Sequence, residues 1–338
     1  MTTVVYVSNA DSRDISVLRL DERSGAATTL QTIGADGLVM PMGLSPDQRF
    51  LFVARRSEPF AALTFSIDPR TGTLTRVGEG PLPESMAYIA SDRSGRFLFS
   101  ASYGGNLIAV NPIGADGVVH SAQQELPTGP NAHAIRADAS NRFVFATALG
   151  AGVVMQFRFD AATGTLVPNV PAAVTVRAGA GPRHLEFHPD GRVVYLLNEL
   201  DASLDVFALD REAGTLSPVQ TLDTLPPGFS GKPWAADLHV TPDGRFLYTS
   251  ERRSSTLASF AVDAASGLLE PLGHCPAQAQ PRGFQITASG RWLIVAGQLS
   301  HHVGVHAIDA ATGRLTLVHE HAVGRNPNWV ETLVLTSP

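Results

Sequence analysis

GAGPRHLEFHPDGRVVYLLNELD, residues 179–201, holds two short apolar runs at 185–187 and 193–197, joined by a Pro-Asp-Gly turn. That pattern is a tight β-hairpin. In an antiparallel pair the start of the first strand lies beside the end of the second. Arg183 and His184 are therefore expected next to Asn198 and Glu199, at the end away from the turn.

The hairpin recurs at 44–53, 90–100, 136–146, 240–250 and 286–296. Its arginines, Arg49, Arg96, Arg142, Arg192, Arg245 and Arg291, are spaced 47, 46, 50, 53 and 46 residues apart. A repeat of this length marks an array of identical units. A second motif, Asp-x-x-(Ser/Thr)-Gly-x-Leu, alternates with it at 68–74, 160–166, 263–269 and 309–315, with looser copies at 21–27, at 210–216 and around Asp116-Gly117. Seven copies of the second motif stand against six of the first. The two ends of the chain supply the missing hairpin: the segment 4–9 has the form of a second strand and Pro327-Asn328-Trp329-Val330 that of a first. The expected fold is all-β: a seven-bladed β-propeller of four antiparallel strands per blade, one domain over residues 1–338, closed by pairing the N- and C-terminal strands. The second strand of each unit is apolar on consecutive residues, as suits a strand covered on both faces.

Composition narrows the function. The 44% hydrophobic content is ample for a large core. Cys275 is the only cysteine, which excludes an internal disulfide and a cysteine-based metal site. The opening MTTVVYVSNA reads at once as a strand rather than a signal peptide, and no run is long enough to span a bilayer. A cytoplasmic protein with no membrane partner is the expectation. The net charge of −6 argues against a nucleic-acid surface. Lys232 is the only lysine among 25 basic residues; a compositional bias explains that, and arginine abundance carries no functional weight.

In a propeller the loop into the first strand and the loop out of the second open on one face, so every blade lends two loops to one mouth. Those positions include Arg56, Tyr103, Asn106, His133, Arg183, His184, Asn198, Glu199, Asp237, His239, Arg252, Arg282, Asn328 and Trp329. The opposite face receives turns whose residues are explained by turn chemistry.

At these residues the chain resembles a known family. GAGPRHLEFHPDGRVVYLLNELDASLDVF, PWAADLHVTPDGRFLYTSER, QPRGFQITASGRWLIVAGQLSHHVGVH and VGRNPNWV are similar to the bacterial 6-phosphogluconolactonases of the seven-bladed propeller type, with the likeness running from about Val4 to Trp329. The wider family includes fungal carboxymuconate-lactonising enzymes, whose catalytic His, Arg, Glu and Arg are matched by His133, Arg183, Glu199 and Arg252. The resemblance implies hydrolysis of 6-phospho-D-glucono-1,5-lactone in the pentose phosphate pathway, without cofactor or metal. The partner is then a small anionic sugar lactone; oligomeric state is left open. Another aldonolactonase or a muconate-type enzyme is the alternative within the class, and a non-catalytic binding propeller the alternative outside it.

Lactone hydrolysis needs a deprotonated water, a stabilised oxyanion and a reprotonated ring oxygen. His133 and Glu199 are the groups that can exchange protons; Arg183 and Arg252 are forked cations suited to the oxyanion. Arg56, His184, Asn198, Arg282 and Trp329 are expected to touch substrate. Blander roles compete: Glu199 as an ion pair to Arg183 or Arg252 that holds blades together, His133 as a mouth histidine hydrogen-bonded to backbone, and Arg56 and Arg282 as solvated or inter-blade ion pairs. His184, Glu186 and His188 invite a zinc reading, but on a strand they span about 13 Å, too far for one ion. His301 and His302 are adjacent, so their rings face opposite ways. His319 and His321 are expected on an outer strand, facing solvent.

Overall fold

In the computed structural model, which describes residues 2–335, the hairpin of 179–201 pairs Pro182–Phe187 with Val193–Asn198, Leu185 opposite Leu196. Ser203–Asp210 and Thr215–Asp223 complete the sheet outward. Seven such four-stranded antiparallel sheets are present. Along the chain the blades cover residues 39–81, 86–127, 132–175, 182–223, 235–276 and 281–322, and the seventh joins 327–335 to 2–34. Its innermost strand is Pro327–Leu335, lying beside Thr2–Asn9 with Val330 opposite Val7. The closure expected from the two ends is thus the one observed. No helix among the described residues is long and apolar enough to cross a membrane.

The consecutive apolar residues of the second strands follow from their burial. Every residue of Val193–Asn198, and likewise of Phe246–Glu251 and Trp292–Gly297, is buried, because adjacent blades cover both faces. Phe145, Val194 and Phe207 fill one such seam, between the third and fourth blades.

The second repeat motif latches neighbouring blades. Tyr195 and Tyr248, on second strands, each donate a hydroxyl to the turn-glycine carbonyl of the next blade, Gly267 and Gly313, at 2.8 Å. Gly267 has φ of 73°, and a Cβ there would lie 2.5 Å from a Val193 methyl; the turn requires glycine on both counts. Arg192 and Arg245 donate to Ala265 and Ala310 carbonyls in the same turns, at 2.9 and 2.8 Å. These repeat arginines join blades. His319 and His321 lie, as expected, on the outermost strand of their blade, Leu315–Ala322; both are half-buried there, and His321 Nε2 lies 2.8 Å from Thr29 Oγ1 on the adjacent blade.

Candidate active site

The mouth depends on a backbone irregularity. Each inner strand shifts register once near its start, between Ala132 and Ala134, between Pro182 and His184, and between Pro281 and Phe284 in the third, fourth and sixth blades. A β-bulge inserts a residue and re-aims side chains. His133 and Arg183 are the inserted residues of their strands, and Arg282 lies within the bulge of its own.

Arg183, Glu199 and Arg252 form one buried ionic cluster. Arg183 is 1% exposed, and its Nε donates to Glu199 Oε2 at 2.8 Å. Arg252 Nη2 reaches the same oxygen at 3.0 Å, while its Nε donates to the Trp234 carbonyl at 3.0 Å. Burial opposes the charge of Glu199, but Arg183 and Arg252 outweigh it and hold its carboxyl below the usual range. Glu199 is therefore ionised at neutral pH, and its proton affinity is taken up by two guanidiniums.

His133 is buried and differs from Glu199 in having free nitrogens. Its Nδ1 is enclosed without a partner, and its ring lies 5.1 Å from that of His184. Burial, reinforced by Arg183, pushes its pKa well below 6.5. The imidazole is thus neutral and open to a proton. Tyr103, exposed on the rim, presents its ring 6.0 Å from that of His133.

Two further arginines face the mouth without carboxylates. Arg56 donates to Ser85 Oγ at 3.0 Å and lies 3.1 Å from Met40 Sδ. Arg282 leaves Nε buried and unpartnered; burial, then Arg183, Arg252 and Arg56, drive its pKa well down. Among the described residues, Glu199 is the only carboxylate within 4 Å of any of these four guanidiniums.

The remaining expected contacts are placed otherwise. Asn198 is wholly buried within its own blade and donates to Ser203 Oγ and Asp205 Oδ2 at 2.9 and 2.7 Å. Trp329 packs edge-on to Tyr88 and His184 and donates Nε1 to Glu331 at 3.0 Å. Tyr88, His184 and Trp329, from three inner strands, form a floor across the channel. A cavity of about 320 Å³ lies beyond it, lined by Arg136, Glu186, His239 and Glu331 among others. His184, with both ring nitrogens engaged by protein, supports Arg183 from below. His184, Glu186 and His188 go to separate partners: Asp237, Arg136 and the Gly244 carbonyl.

Trp234 was missed in the sequence. Its Nε1 donates to Glu199 Oε1 at 3.3 Å, and the guanidinium carbons of Arg252 and Arg253 lie 3.8 and 4.8 Å from its ring centre. The available signal was the 53-residue spacing from Arg192 to Arg245, longer than the others because an extended loop delivers this tryptophan to the mouth.

Residues 2–332 match the family model described as lactonase, 7-bladed beta-propeller. The chain belongs to this lactonase family. Among the relatives of this lactonase, one from Pectobacterium carotovorum, named 6-phosphogluconolactonase, is 44% identical across 99% of this chain and 100% of its own. A Serratia proteamaculans protein of the same name is 43% identical, covering 98% and 99%. A solved structure of a Pseudomonas aeruginosa periplasmic gluconolactonase superposes with a TM-score of 0.92 at 30% identity, covering 99% of this lactonase and 100% of that chain.

Proposed function

We propose that this lactonase hydrolyses 6-phospho-D-glucono-1,5-lactone to 6-phospho-D-gluconate in the cytoplasm. The observation that carries the reading is the charge imbalance of the mouth, where, among the described residues, Glu199 is the one carboxylate within 4 Å of Arg56, Arg183, Arg252 or Arg282. A phosphate dianion supplies the missing negative charge, and forked guanidiniums match its oxygens. The names of the Pectobacterium and Serratia relatives support the same substrate. A phosphorylated lactone is also confined by its charge to the compartment where it is made.

Water attacks the lactone carbonyl carbon as neutral His133 takes its proton. The carbonyl oxygen, now negative, is stabilised by Arg183 and Arg252, which are preorganised by Glu199 and Trp234. The carbon–oxygen bond of the ring then breaks, and the His133 imidazolium returns the proton to the leaving ring oxygen. Glu199 works here as the anion that aligns two cations. The sequence reading left open which of His133 and Glu199 is the base; the free nitrogens of His133 and the saturated carboxylate of Glu199 favour His133.

A pH signature follows. The kcat/KM profile reports the free enzyme, where His133 titrates well below 6.5, so its acid limb is expected below pH 6.5. Bound dianion offsets the guanidiniums and raises the imidazole pKa, so the acid limb of kcat should lie at higher pH. Coincident limbs would remove the link between His133 and substrate charge.

A substrate panel with spontaneous hydrolysis subtracted tests the phosphate. Arg282→Ala should raise KM for the phosphorylated lactone about 10- to 100-fold, the worth of a charged hydrogen bond, and leave KM for gluconolactone nearly unchanged. A tenfold wild-type preference for unphosphorylated gluconolactone would instead favour a second reading, gluconolactonase, which the name of the Pseudomonas structure supports.

A further inference from the structure

Arg183 is held from below by a polar chain that the hydrolytic steps do not themselves use. Its Nη1 donates to His184 Nε2 at 3.1 Å, and His184 Nδ1 donates to Asp237 Oδ1, on the next blade, at 2.7 Å. A guanidinium has only donors, so the nitrogen facing it must be bare and the ring proton must sit on Nδ1. Asp237 is pinned in turn. The backbone N–H groups of Leu238 and Phe284 donate to its two oxygens at 3.0 and 3.2 Å, and His239 Nε2 lies 3.4 Å from Oδ2. His239 also stands 3.3 Å from Glu186, which accepts from Arg136. His184 and Asp237 are 4% and 6% exposed. The rings of Tyr88, Trp329 and His133, 5.2, 5.7 and 5.1 Å away, box in the imidazole and leave it no other partner.

We propose that Asp237 is a positioning residue for the hydrolysis: it fixes the Nδ1–H tautomer of His184, whose bare Nε2 then anchors the Arg183 guanidinium toward the lactone carbonyl. The inference rests on the oxyanion role given to Arg183 above. With the proton on Nε2 instead, two N–H groups would oppose each other and the guanidinium would shift. The groups facing His184 are Arg183 on its own strand, Asp237 and His239 on the next blade, His133 on the preceding one, and Tyr88 across the channel. Burial and Arg183 pull His184 down to about 4 against the opposing pull of Asp237, so the anchor is neutral at neutral pH.

The test uses Asp237→Asn in the full chain. Asparagine keeps the shape but can donate as well as accept, so it removes the part of the tautomer selection that Asp237 supplies. Nitrogen-15 imidazole spectra of the wild type should show a neutral ring protonated on Nδ1 and lost in His184→Gln; in Asp237→Asn, where Arg183 alone still favours that form, the Nδ1-protonated fraction should fall. This readout is independent of turnover, so it stands or falls apart from the substrate assignment. For the lactone, kcat should fall about 10- to 100-fold with KM little changed, the effect of a small misplacement. His184→Gln should match that loss, and the double variant should lose no more than either single one, since both act through one chain. His184→Gln keeps the idea open to refutation even if Asp237→Asn fails to fold. A wild-type His184 protonated on Nε2, an unaltered kcat in folded Asp237→Asn or in His184→Gln, or additive losses in the double variant would each overturn it.

Discussion

Replacing His133 by Asn should lower kcat on the lactone about 10²- to 10⁴-fold, the usual contribution of a positioned general base, or about 3 to 5 kcal/mol of barrier at 1.36 kcal/mol per decade. The fold should be nearly indifferent. His133 is buried, but its Nδ1 has no partner to lose, so the substitution breaks no hydrogen bond at that atom and leaves the guanidinium cluster in place. The acid limb that the imidazole contributes to the pH–rate profile should disappear with it. Steady-state kinetics paired with a melting curve separate the two effects. Turnover within threefold of wild type in a stably folded variant would reassign the base.

The architecture was legible because the repeat is written twice, once as hairpins and once as glycine turns. A turn glycine such as Gly267, with positive φ and a neighbour 2.5 Å from its missing Cβ, leaves a mark no other residue can replace. Strand pairing alone puts Arg183 beside Glu199, whereas His133 and Arg252 were singled out through the family resemblance. The direction of each side chain was not legible. Simple alternation turns consecutive strand residues to opposite faces, and the bulges that re-aim His133 and Arg183 leave no pattern in the residue types. Asn198 shows the converse error, because nearness to the mouth did not reveal that its amide turns into the blade. The seventh blade holds a counterpart: Asn9 donates to Asp14 and Ser16 at 2.7 and 2.9 Å, as Asn198 does to Asp205 and Ser203. An asparagine repeated outside the site is a structural residue, and that comparison was available in the sequence. Trp234 and Asp237 act through other side chains, so no motif exposes their roles; the long spacing from Arg192 to Arg245 marks only the loop that carries Trp234, and strand position only the nearness of Asp237 to the mouth.

Glu199→Gln should destabilise the protein by about 3 to 5 kcal/mol, the cost of breaking a buried ion pair from one side. Glutamine keeps the volume and one acceptor, but it leaves Arg183 and Arg252, 1% and 4% exposed, without a counter-charge. For a chain of 338 residues that corresponds to a melting point lower by about 4 to 7 °C. The sign of the pH dependence is fixed. Glu199 has a folded pKa below its ordinary 4.5, so its stabilisation is complete above that value and fades as pH falls through the folded pKa. The gap in melting point between wild type and variant should therefore be full at neutral pH and narrow below about pH 4.5. Inorganic phosphate provides a second check, because an anion that binds only the folded state raises its melting point. The variant's mouth has one more uncompensated positive charge, so phosphate should stabilise it more than it stabilises the wild type. Activity should fall with the alignment of the two arginines, and phosphate, occupying the same mouth, should inhibit rather than restore it. A variant with wild-type melting point and turnover would mean that Arg183 and Arg252 hold their places without Glu199, and the preorganised cluster would lose its central member.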